Sequence, residues 1–159
     1  MTGLNGLDGS LISARWSGSD WETVDLPPRL GGSGAIGAAS ASNAWIATVT
    51  APAAERQRSG LYRWDGSAWT AVAVPNPAPF DGIAGVATRS ATDAWAVGEY
   101  SPHAGRPYVD SRSWVLHWDG TAWSRLKAPS GAGLNAVAVV PGTRDAWAVG
   151  GSMAVRYHC

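Results

Sequence analysis

Apolar and polar residues alternate in short runs along this chain, and Gly or Pro cuts the runs about every dozen residues. Segments such as "LYRW" (61–64), "WVLHW" (114–118) and "DAWAVG" (93–98 and 145–150) keep a period of two or stay briefly apolar. That is the pattern of half-buried strands. No capped amphipathic stretch of ten residues offers a helix. The pattern predicts an all-β chain.

The runs recur in a fixed order. "ARWSGSDWETVDLP" (14–27), "YRWDGSAWTAVAVP" (62–75) and "LHWDGTAWSRLKAP" (116–129) each carry two tryptophans five residues apart. A Gly-rich apolar segment follows each, and then "SNAWIATV" (42–49), "TDAWAVGE" (92–99) or "RDAWAVGG" (144–151). Corresponding Trp pairs are spaced by 48 and then 54 residues, near the period of four-stranded propeller blades. The expected fold is therefore a set of β-propeller blades: three four-stranded repeats plus an extra terminal strand, as a partial propeller or one completed by oligomerisation. The predicted layout is an N-terminal tail over 1–10 and a single domain over 11–159. Its repeats span about 11–60, 61–113 and 114–152, with the start of a further unit over 153–159. "AVRY" (154–157) matches the strand before the Trp-pair turn. The last unit is thus expected to stop partway, and "DWETVDL" (20–26) is the expected source of its missing strand.

Asp65-Gly66 and Asp119-Gly120 are strong hairpin signals, because a two-residue type I′ turn needs positive φ at both central positions. Such a turn would pair Trp64 with Ser67 and Tyr62 with Trp69. It would also place Tyr62, Trp64 and Trp69 on one face, and Trp114, Leu116, Trp118 and Trp123 on another. In the first copy Ser17-Gly18 stands at this position, a weaker turn former.

Composition sharpens the picture. Ten Trp stand beside a single Phe. Each buried indole removes about 150 to 250 Å² from water, so most are expected to pack between blades. With 159 residues the chain has room for one domain with a substantial core. Twelve basic and twelve acidic side chains give no net field, so nucleic acid is not an expected partner. No apolar run of about 18 residues predicts membrane insertion, and the opening "MTGLNGLDGS" lacks the features of a signal peptide. Cys159 is the only cysteine, which precludes an intrachain disulfide.

With these motifs in place, residues 11–158 resemble the tryptophan-rich propeller proteins of high-GC bacteria, often found outside the cell. The resemblance implies a propeller fold and an extracellular or cell-envelope location. The hairpins Trp64, Asp65, Gly66, Trp69 and Trp118, Asp119, Gly120, Trp123 are also similar to blade hairpins of small fucose-binding propeller lectins. That second likeness covers the hairpins alone. It implies carbohydrate binding by subunits that complete a ring as oligomers.

Candidate chemistry is sparse. His103, His117 and His158 are scattered and Cys159 has no partner nearby in sequence, so no catalytic residue, metal site or cofactor is expected. Asp65 and Asp119 read as turn formers, and Asp93 and Asp145 as strand-entry residues capping their own backbone. A glycosidase-type carboxylate pair is the remaining enzymatic alternative. The copies differ most in the connections "TAPAAERQRS" (50–59) and "YSPHAGRPYVDSR" (100–112). Copy-specific insertions of this kind gather on one face of a repeat protein and carry recognition. The candidate ligand-binding residues are the hairpin indoles Trp64, Trp69, Trp118 and Trp123, with Tyr100, His103, Arg106, Tyr108, Asp110 and Arg112 from the longer loop. The expected function is noncatalytic recognition of carbohydrate or another cell-surface ligand. Its alternatives are a protein-interaction scaffold, or a fragment of a larger propeller hydrolase or oxidase. A homodimer or other homo-oligomer is an expected assembly.

Overall fold

The computed structural model describes residues 2–4, 11–27, 30–31, 34–53, 56–76, 78, 80–103, 110–131 and 133–158. They form an all-β chain of four small antiparallel sheets, and no helix occurs among them. The first sheet is β1 (Thr2–Leu4), β2 (Leu11–Trp16) and β3 (Trp21–Val24). Thr2–Leu4, within the segment expected to be a tail, thus pairs as a strand. The second sheet holds β4 (Leu30–Gly31), β5 (Ile36–Ser40), β6 (Asn43–Ala53), β7 (Arg56–Trp64) and β8 (Trp69–Val72), with β4 and β5 both pairing with β6. The third runs in order through β9 (Phe80–Ser90), β10 (Asp93–Ser101), β11 (Arg112–Trp118) and β12 (Trp123–Leu126). The fourth is β13 (Ala136–Val139), β14 (Asp145–Gly150) and β15 (Met153–His158).

Each sheet is built from strands consecutive in the chain that pair antiparallel, the short way to join segments close in sequence, and the 102–111 connection between β10 and β11 is the long exception. The sheets are offset from the repeated phrases. The "GIAGVA" and "DAWAVG" strands open a sheet, and the Trp-pair hairpin of the following phrase closes it.

Three expectations are corrected. The strand "WETV" does not complete the C-terminal unit; it pairs with β2, its own hairpin partner, from Trp16↔Trp21 to Ser13↔Val24. The segment 50–59 is largely strand, since β6 runs to Ala53, β7 starts at Arg56, and Thr50 pairs with Arg58. The Trp-pair turn holds four residues, with Trp64 opposite Trp69 and Trp118 opposite Trp123.

Side-chain chemistry explains the longer turn. Asp65 Oδ1 accepts the Ser67 and Ala68 N–H groups at 2.8 and 2.9 Å, and the Ser67 hydroxyl at 2.8 Å. Asp119 repeats this with Thr121 and Ala122. Among the described non-glycine residues only Asp110 has positive φ, so neither aspartate takes a type I′ conformation. Gly66 and Gly120 take positive φ, at 105° and 101°, where an L side chain is strained. The first hairpin reaches the same register without an aspartate at the first turn position. There Ser17 N–H bonds the Asp20 carbonyl at 2.9 Å, and Gly18 takes φ of 109°.

These bonds hold both carboxyls well below their ordinary value of 3.8, at about 2. For Asp119 the Ala122 N–H contributes most, followed by the Thr121 hydroxyl. A depressed carboxyl contributes stability that is complete above its unfolded pKa and lost as pH falls through the folded one. Between about pH 4 and pH 2 the urea midpoint of wild type is therefore expected to fall more than that of Asp119→Asn. Equal slopes would mean that the turn carboxylate carries no such linkage.

The core lies in the seams between sheets. One cluster joins the second and third sheets, with Trp45, Ala47 and Leu61 meeting Val86, Ala94, Trp114, Leu116, Trp118 and Trp123. Trp45 is fully buried, with edge-to-face contacts to Trp118 and Trp123, both centred 4.9 Å away. A second cluster joins the third and fourth sheets through Trp95, Val97, Val115, Leu134, Ala146 and Ala148. Strand alternation sends Trp114, Leu116 and Trp118 into one seam and Val115 into the other.

The first strands of successive sheets also touch. A Cβ on Gly37 would press on the Val86 backbone at 2.8 Å, and one on Gly85 would press on Ala136 Cα at 3.0 Å. The glycines of these apolar segments therefore let β5, β9 and β13 approach.

Candidate functional site

A groove of about 1160 Å³ opens beside the longer loop. Tyr100 and Arg112 line it from paired positions on β10 and β11. Arg125, Lys127 and Ser130 line it from β12 and the chain that follows, and Asp110 and Ser111 from the loop. The Arg125 guanidinium lies over the Tyr100 ring, 4.5 Å from its centre, a favourable cation–π placement. Burial, the largest single influence on the Tyr100 phenol, pushes its pKa up. The Arg125 and Arg112 guanidiniums together outweigh it, and the phenol stands below its ordinary value.

Tyr100 thus carries a guanidinium on one face of its ring. Arg125 lines the groove beside the exposed Arg112 and Lys127. Three cations face one groove acid, Asp110, and that acid lies 3.4 Å from His103. The arrangement can hold an anion or a densely hydroxylated molecule, because guanidiniums present forked planar donors.

The structure brings Tyr100, Asp110 and Arg112 together in this groove, with His103 beside Asp110. Arg106 and Tyr108 lie outside the described residues. The hairpin indoles go elsewhere. Trp118 and Trp123 are 4% and 5% exposed in the seam under Trp45, so a ligand could reach them only by prising the second and third sheets apart. Trp64 is buried, its Nε1 donating to the Ala41 carbonyl at 2.9 Å. Trp69 is half-buried and donates from Nε1 to Ser13 Oγ across the first and second sheets at 3.2 Å. These two, with Trp16, Trp21, Ile36 and Ala38, line an apolar cleft of about 300 Å³ between those sheets.

Sequence reasoning missed Arg125 and Lys127. A signal was present: "WSRLKAP" carries cations where "WTAVAVP" has Ala71 and Ala73. The strand-entry acids also act differently than expected. Asp93 Oδ1 bonds Trp95 Nε1 at 3.1 Å and His117 Nε2 at 3.2 Å, while Oδ2 pairs with Arg89. Arg89 in turn donates to the Asp145 carbonyl at 2.7 Å, tying the third sheet to the fourth. The Asp145 carboxylate binds His158 Nδ1 at 2.7 Å and Arg156 at 2.8 Å, which together hold it below the usual carboxylate range. These acids clasp neighbouring strands rather than their own backbone.

Among the described residues no group of three or more His, Cys, Asp or Glu is placed to hold a metal ion. Nor is any described helix long and apolar enough to cross a membrane. Compared with known proteins, the chain matches no family model and no curated relative.

Proposed function

We propose that this protein is a noncatalytic β-propeller-type binding module whose ligand is a carbohydrate bearing a negative charge. The propeller reading is supported by two features: successive sheets whose first strands β5, β9 and β13 approach one another, and seams filled by repeated indoles. The ligand reading is carried by one observation, the groove in which Arg125 lies on Tyr100 beside Arg112 and Lys127. A uronate or sulfate group would take the guanidinium forks, and the sugar hydroxyls would meet Ser111, Ser130 and Asp110.

The test is a panel of immobilised acidic and neutral glycans probed with the purified chain. Binding to acidic members that weakens with salt is expected. Arg125→Ala should lose about tenfold or more, the scale of a charged hydrogen bond. Silence across the panel from folded protein would overturn the reading, as would Arg125→Ala binding at full strength. A protein partner captured in place of any glycan, and lost on deleting 101–111, would favour the interaction-scaffold alternative.

A further inference from the structure

Trp45, Trp95 and Trp147 occupy one position in three sheets. Each follows the Asn-Ala or Asp-Ala entry of its strand, and each pairs across to Arg63, His117 or Arg156. The first two are fully buried because the next sheet covers them. Trp45 receives the Trp118–Trp123 pair at 4.9 Å, and Trp95 receives Tyr157 at 5.4 Å. Trp147 is 45% exposed, and Val149 on the same face is 46% exposed, although its equivalent Val97 is buried. Ala136, Ala138 and Ala154 extend this apolar face of the fourth sheet into solvent.

The opposite end of the chain carries the complementary half. Trp16 and Trp21 meet edge-to-face at 5.6 Å, in the register of the Trp118–Trp123 pair at 5.8 Å. They are 52% and 54% exposed, and each also borders the cleft toward the second sheet. The polar detail repeats as well. Arg63 lies over the rings of Trp45 and Trp118 at 6.0 and 5.7 Å in the internal seam. Arg156 is the residue opposite Trp147, with its side chain 54% exposed.

We infer that a second copy of this chain covers the face: the Trp16–Trp21 pair of one copy seats on Trp147 of the next, with Arg156 placed as Arg63 is in the internal seam. The occupant follows from continuity, since the contact repeats one already built inside the chain and the first and fourth sheets expose its two halves. The contact is head-to-tail, so each copy has one platform and one pair left to use. It does not depend on the carbohydrate reading.

Light scattering behind size exclusion, run on the full chain over a range of concentrations, tests it. Wild type is expected to show the mass of two or more copies. Trp147→Arg, and separately the double variant Trp16→Ser with Trp21→Ser, should each run as monomers with unchanged circular dichroism. Association should weaken on the order of thirtyfold or more, the scale of an interface hot spot. An equimolar mixture of the two should recover a particle of two copies, because one supplies an intact pair and the other an intact platform. A wild type that stays monomeric overturns the inference, whether solvent or a different protein covers the face. Undiminished association of either variant, or a mixture that fails to pair, also overturns it.

Discussion

Trp45→Ala is expected to destabilise the protein by about 3–5 kcal/mol, read from urea or guanidinium midpoints. The ring is fully buried and bridges two sheets, with Trp118 and Trp123 on its far side and Arg63 over its face. Its removal opens a cavity that two rigid sheets cannot collapse to fill, so the lost transfer free energy and the cavity cost add. Trp147→Ala, at the same strand position, should change the stability of the dissociated chain by only about 0.5 kcal/mol, because that ring stands 45% exposed. Trp45→Phe should fall between them. The indole N–H of Trp45 has no hydrogen-bond partner among the described residues, so phenylalanine gives up ring area but no bond seen there. Equal losses for Trp45→Ala and Trp147→Ala would refute the assignment of the seam as the core.

The second large effect is expected at Gly98, where one added methyl group should cost about 3 kcal/mol or more. Its Cβ would overlap the carbonyl oxygen of Gly82 on β9, beside the register shift between Val97 and Gly98. The same residue accepts the Leu134 N–H at 3.1 Å from the start of the fourth sheet. Backbone is therefore fixed on both sides of it and cannot yield. Gly150, its equivalent, would overlap the Gly133 carbonyl in the same way. Gly142→Ala is the contrasting control for crowding: a Cβ there meets nothing within 4 Å, and what remains is the strain of φ at 73°. Gly98→Ala should lose the more stability of the two, and the reverse order would refute the close approach.

That crowding explains why "DAWAVG" ends in glycine, and it shows what the sequence carried. The recurring strands, the hairpins and the shared face of each Trp pair were legible, because alternation and the five-residue Trp spacing are local. The turn misleads for a local reason too. In D-G-[S/T]-A the carboxylate gathers two N–H groups and a hydroxyl, which favours four residues over two. The environment of each indole was not legible. "WSGSDW" and "WDGTAW" are nearly the same phrase, yet one pair is half-exposed and the other buried. The difference lies in whether another sheet is stacked on it, and no spacing encodes that. The groove was half legible. Tyr100, Asp110 and Arg112 stand out as loop residues, but Arg125 and Lys127 sit in a stretch that reads as one more repeat.

The offset between phrase and sheet has a genetic consequence. A single phrase ends one sheet with its hairpin and begins the next with its Gly-rich and Ala-Trp strands, so it straddles a seam instead of filling a layer. Tandem duplication of such a unit in the gene delivers an indole platform and a matching lid at once. The array can grow by whole copies without evolving a new joint, each insertion stitched covalently to both of its neighbours.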